Sequence, residues 1–155
     1  VPENLAGEFV QSCLKRFAEK KSPPAIFNGL SNIVRHFAIN NTIVVITTNS
    51  SQNVNAFLTE HGLDDYVHAV YGVDIPGSKA QKISIARNQF SADIKRESVF
   101  MIGDSLSDIM AAKEASATSI AVTWGHQSLE RLLRGDPDHV VRFPQDLIEV
   151  IEKLE

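Results

Sequence analysis

Cysteine is almost absent from this chain: Cys13 is the single one among 155 residues. One thiol excludes an internal disulfide framework and fits a reducing compartment. Its apolar neighbours Val10, Leu14 and Phe17 mark it as a buried structural thiol rather than a nucleophile. Long apolar runs are missing too, and none approaches the ~20 residues of a membrane-spanning helix. No signal peptide is visible, so no membrane partner and a cytoplasmic location are expected. The chain starts at Val1, which methionine removal or truncation explains equally. A basic stripe is also lacking. The net charge is -4, and Lys20-Lys21 and Lys95-Arg96 are isolated pairs, so no nucleic-acid partner is expected. His36, His61 and His68 have no metal-ligand spacing. Internal repeats, low-complexity tracts and long linkers do not occur.

What is present is an ordinary globular composition, 43% apolar and 22% charged, in a chain long enough for one domain with a sizeable core. Strand and helix patterns alternate. Leu5, Phe9, Val10, Cys13, Leu14 and Phe17 recur at helical spacing, and Ser22-Pro23-Pro24 ends that helix. Leu30, Ile33, Val34 and Phe37 mark a second helix, with a turn at Asn40-Asn41. Thr42 to Thr47 is a β-branched buried strand. Ser50 or Ser51 caps a helix carrying Val54, Phe57 and Leu58, closed by Gly62. Val67 to Val73 is a weaker strand, and Ser78 caps a helix bearing Ile83, Ala86 and Phe90. Ser98 to Ile102 is a buried strand, and Leu106 to Ala115 a helix. Thr118 to Val122, a short helix at Leu129 to Leu133, a small strand at Val140-Val141 and a final helix at Leu147 to Leu154 follow. This alternation predicts an α/β fold, a parallel sheet with helices on both faces. The one candidate boundary, Ser22-Pro23-Pro24, divides residues 1–24 from 25–155.

Open parallel sheets gather chemistry beyond the carboxyl ends of their strands. Three polar clusters fall at such ends. Thr47-Thr48-Asn49-Ser50 offers hydroxyls and backbone N–H groups at a strand-to-helix turn, which suits an anion or simply caps a helix. Lys79 opens the third helix, where its charge opposes the helix dipole, an arrangement that favours a functional reason over mere solvation. Gly103-Asp104-Ser105-Leu106-Ser107-Asp108 ends a buried strand with one carboxylate and sets a second four residues on. That spacing puts both on one helix face, able to point at one cation. An N-cap plus a surface acid explains the pair poorly, because Ser105 or Ser107 can cap.

Taken together, Thr48-Asn49 after an apolar strand, Lys79, and Gly103-Asp104-Ser105-x-x-Asp108-x-x-Ala111-Ala112 resemble the second, third and fourth motifs of the haloacid dehalogenase superfamily. Val122-Thr-Trp-Gly125 with Asp138-His-Val-Val141 is similar to its phosphoglycolate-phosphatase-like branch. The resemblance covers nearly everything from Phe27 onward and implies a three-layer, Rossmann-like core. It also implies magnesium-dependent hydrolysis of phosphate monoesters of small metabolites, through an aspartyl-phosphate. Carried over, Asp104 ligates magnesium and Asp108 ligates it or orients its water. Thr48, or alternatively Thr47, holds a phosphoryl oxygen with the backbone N–H of Asn49. Lys79 offsets the charge, with Lys82 as the other candidate for that lysine. Hard cations take oxygen ligands, and placed donors stabilise a transferring phosphoryl group.

The family's first motif, the nucleophilic Asp-x-Asp, has no match before Ile43, where the acids are Glu3, Glu8 and Glu19 on the expected first helix. Asp136-Pro137-Asp138 lies after the fourth motif and follows a helix end, so it reads as a turn before the small strand. The expectation is therefore a core whose central first strand is missing, preceded over residues 1–24 by a remnant of a helical cap. Such a fragment lacks the nucleophile and is inactive alone, and its open sheet centre favours a homodimer. Two alternatives stand beside it. One is a non-catalytic binding module. The other, ranked lower, is a phospho-receiver domain, in which the lysine follows the acceptor Asp, whereas here Lys79 precedes Asp104.

Overall fold

The computed structural model describes residues 3–5 (backbone only), 29–90 and 99–154. Among the described residues, six parallel strands form one sheet: β1 (Glu3–Leu5), β2 (Thr42–Ile46), β3 (Ala69–Tyr71), β4 (Val99–Gly103), β5 (Thr118–Val122) and β6 (His139–Val141). Their order is β3-β2-β1-β4-β5-β6. The chain thus builds outward from β1 one way, then crosses back to build the other way. That reversal is the switch point at which doubly wound sheets open a crevice. The helices are α1 (Leu30–Ala38), α2 (Ser51–Glu60), α3 (Lys79–Phe90), α4 (Leu106–Glu114), α5 (Leu129–Leu133) and α6 (Asp146–Leu154).

Strand alternation sorts the core into two layers. Ile43, Val45, Phe100, Ile102, Ile120 and Val122 point to one face, where α1, α2 and α6 cover them with Phe37, Phe57, Leu147 and Ile151. Val44, Ile46, Val99 and Met101 point to the other, where α3 and α4 approach with Ala80, Ala86, Ala111 and Ala112. Small alanines allow those two helices close to the sheet, which brings their first turns near the strand ends. The expected elements from residue 30 onward form within a few residues of their expected bounds. The weak strand shortens to Ala69–Tyr71, and Gly62 ends α2 with a φ of +67°.

The amino-terminal end differs from expectation. The sheet centre is not open: Glu3–Leu5 pairs with β2 on one side and β4 on the other. Glu3 and Leu5 therefore lie in extended backbone, not on a first helix. Unpaired N–H and C=O groups at a sheet centre are costly, and an extended segment satisfies them through its backbone whatever side chains it carries. With the centre paired, the ground for expecting a homodimer is gone. Residues 6–28, including Cys13 and the rest of the expected cap remnant, lie outside the described residues. Among the described residues, no helix is long and apolar enough to cross a membrane.

Candidate phosphoryl and metal site

The register levels two turns across β1. Leu5 lies opposite both Val44 and Met101. Thr47 and Asp104 each follow three residues later. They leave the sheet side by side, two strand spacings apart, or about 10 Å.

The first turn is built from neutral donors and acceptors. Thr47 is buried, donates its N–H to the Tyr71 carbonyl at 3.1 Å, and accepts the Asn49 N–H on Oγ1 at 3.0 Å. Asn49 Oδ1 accepts from the Ser50 N–H at 2.8 Å and from the Asn53 amide at 3.2 Å. Ser50 is the cap of α2, accepting the Asn53 N–H at 3.1 Å. Thr48 is the exposed member of the turn. An acid meets the first turn of this helix from the loop after β3, where Asp74 Oδ1 accepts the Ser51 N–H at 2.7 Å. That bond holds the Asp74 carboxyl below its ordinary value of 3.8.

The second turn concentrates charge. Asp104 and Asp108 are 2% and 1% exposed. Ser105 caps α4 by accepting the Asp108 N–H, and Asp108 Oδ2 returns the favour to the Ser105 N–H, both at 3.2 Å. Asp108 thus takes part in the cap itself, a role that the residue types alone give to Ser105 or Ser107. Lys79 Nζ donates to Asp108 Oδ1 at 3.0 Å and to Ser107 Oγ at 2.8 Å, and Ser107 Oγ lies 3.0 Å from Ser105 Oγ. The two candidate lysines part here. Lys82, one helical turn on and buried, donates to the Gly72 carbonyl at 2.9 Å and so ties α3 to the loop after β3.

Two glycines are required by close approach. A Cβ on Gly103 would lie 2.4 Å from the Asp108 Cβ, and one on Gly125 2.3 Å from the Asp104 Cβ and Oδ2. Gly125 lets the loop after β5 reach the carboxylate, where the His126 N–H donates to Asp104 Oδ2 at 2.6 Å. The next residue, Gln127, accepts the Leu106 N–H on Oε1 at 2.6 Å. In the sequence Ser107 offers itself only as a cap, and nothing there pairs His126 with Asp104 or Gln127 with Leu106. Ser107 lay inside the fourth motif, but the loop carried no spacing signal. Asp138, the last residue of the Asp-x-Asp decoy, accepts from the Ser119 N–H at 2.9 Å and from its Oγ at 3.2 Å, which fixes it at the start of β6 as expected of a turn residue.

Two buried carboxylates in one strand-to-helix turn are hard oxygen donors and fit magnesium, which takes one or two carboxylates and completes its shell with water and phosphate oxygens. Among the described residues no third His, Cys, Asp or Glu joins them in a group of metal-holding size.

Comparison with known proteins identifies the family. The family described as haloacid dehalogenase-like hydrolase matches residues 3–122. A phosphoglycolate phosphatase of Vibrio parahaemolyticus is 31% identical over 111 residues, 71% of this chain and 49% of that protein. One from Synechococcus elongatus is 30% identical over 112 residues, 71% of this chain and 51% of that protein. The chain spans about half the length of these curated relatives. A haloacid dehalogenase-like family hydrolase from Streptococcus pneumoniae superposes with a TM-score of 0.71 at 14% identity, over 97% of this chain and 98% of that one. The chain belongs to the haloacid dehalogenase-like hydrolase family.

Proposed function

We propose that this chain carries the phosphate- and magnesium-binding part of a phosphatase acting on small phosphorylated metabolites, in a cytoplasmic setting. The observation that carries the reading is the Lys79–Asp108 pair at 3.0 Å, in the same turn as buried Asp104, at the switch point of the sheet. Its partial likeness to phosphoglycolate phosphatases supports the substrate class. In this reading Asp104 and Asp108 would hold the cation, which neutralises phosphoryl charge when bound. Lys79 offsets charge on Asp108 and on the phosphate, and its ammonium is held in place by Ser107. Thr48 presents its hydroxyl to a phosphoryl oxygen, while Thr47 and Asn49 fix the shape of the turn and orient its N–H groups. Lys79 rather than Lys82 is the lysine of the site, since Lys82 is engaged by Gly72.

The chain has no aspartate before Asp64, so no Asp-x-Asp precedes Thr48. Without that nucleophile the chain binds but does not turn over alone. The same fact favours, as a second reading, a binding module that keeps phosphate affinity without chemistry. Both predict no hydrolysis of a generic aryl phosphate in the presence of magnesium. Magnesium-dependent turnover that disappears in Asp104→Asn would overturn the claim that the chain is inactive by itself.

A further inference from the structure

The loop after β5 makes two adjacent contacts with the second turn. The His126 N–H reaches Asp104 Oδ2 and the Gln127 side chain reaches the Leu106 N–H, both at 2.6 Å. Leu106 is the first residue of α4, whose N–H has no partner within the helix. Gln127 therefore satisfies a donor that water or a cap would otherwise take. In doing so it ties its own backbone to the helix that carries Asp108. The segment between the two contacts is one peptide long on the loop side, so it has little freedom once Gln127 is engaged. Gly125 permits the approach but supplies no bond of its own.

We propose that Gln127 is a positioning residue for Asp104: it holds the loop so that the His126 N–H occupies Oδ2 and fixes the rotation of the carboxylate. The proposal deepens the function above and rests on its reading of Asp104 as a cation ligand. The orientation of a carboxylate decides how much of the time each of its oxygens faces a cation. Partners that orient a ligand change metal affinity about 10- to 100-fold when removed. Gln127→Ala removes the acceptor. Gln127→Glu keeps an oxygen acceptor at the same reach and serves as the rescue variant.

The experiment uses the full chain in three forms, wild type, Gln127→Ala and Gln127→Glu, each shown to be folded by circular dichroism. Amide exchange at His126 is measured without metal, and Mg²⁺ binding is measured by calorimetry. Gln127→Ala is expected to exchange the His126 amide about tenfold faster, as a lost hydrogen bond does, and to bind Mg²⁺ about tenfold more weakly. Gln127→Glu should restore both. Unchanged exchange in Gln127→Ala overturns the proposal whatever the titration gives. So does equal Mg²⁺ affinity when the wild type binds. If the wild type takes up no Mg²⁺, the metal reading of Asp104 falls, and the exchange comparison alone decides whether Gln127 positions the carboxylate.

Discussion

Two strand-to-helix turns stand side by side at the carboxyl end of this sheet, and they are made differently. Both end a buried strand and both use a serine cap, Ser50 for α2 and Ser105 for α4. The turn after β2 contains no charged residue from Thr47 to Ser51 and borrows an acid, Asp74, from a neighbouring loop. The turn after β4 buries two carboxylates of its own and answers one of them with Lys79. A cap alone needs only what the first turn has, and it would not place two anions out of water, which is costly unless they are paired or bind a cation. The difference fits the proposed division, with neutral anion recognition at one turn and charge handling at the other.

The largest expected effect comes from closing the space that the charged turn needs. Gly125→Ala would place a Cβ against Asp104. It should lower stability by about 3 kcal/mol, at the upper end for overpacking, as read by urea denaturation. Retained stability would mean that the loop can move away without cost and that the Asp104 contact is loose.

Next is the ion pair. Lys79→Met leaves Asp108 buried without its cation and should cost about 2 kcal/mol, less than a fully buried pair because Lys79 is 18% exposed. Asp108→Asn in the same chain should recover most of that loss. A double-mutant cycle reads this coupling, and additive losses would show that the pair contributes nothing.

The smallest effect concerns the neutral turn. The Ser51 N–H bond lowers the Asp74 carboxyl below 3.8, so the folded state favours its charged form. That contribution is complete above pH 3.8 and is lost as pH falls through the lowered folded value. Asp74→Asn should therefore be less stable than wild type near neutrality, with the gap closing in acid. A constant gap from pH 6 down to the acid limit would remove Asp74 from the capping of α2.

Much of this was legible in the sequence because local rules and tertiary structure agree. Short buried runs became β2, β4 and β5, and the Gly103-Asp104 stop fell at a strand end as its pattern required. Lys79, Asp104 and Asp108 were named from motif order, and the fold brings Lys79 onto Asp108. Three things were not legible, for different reasons. Glu3–Leu5 has no side-chain pattern of a buried strand, and its place follows from backbone pairing alone. Lys79 and Lys82 sit one turn apart on one helix, and their different partners, Asp108 and the Gly72 carbonyl, depend on the tertiary fold. The His126 and Gln127 contacts join residues about twenty positions away from Asp104 and Leu106, and no periodicity reports such a pairing.

The central claim is that the charged turn is a magnesium-assisted phosphate site. Calorimetric titration of the full chain with inorganic phosphate, with and without Mg²⁺, tests it most directly. Phosphate binding is expected to require Mg²⁺ and to be abolished in Asp104→Asn. Phosphate binding that is indifferent to Mg²⁺, or unchanged in Asp104→Asn, would contradict it.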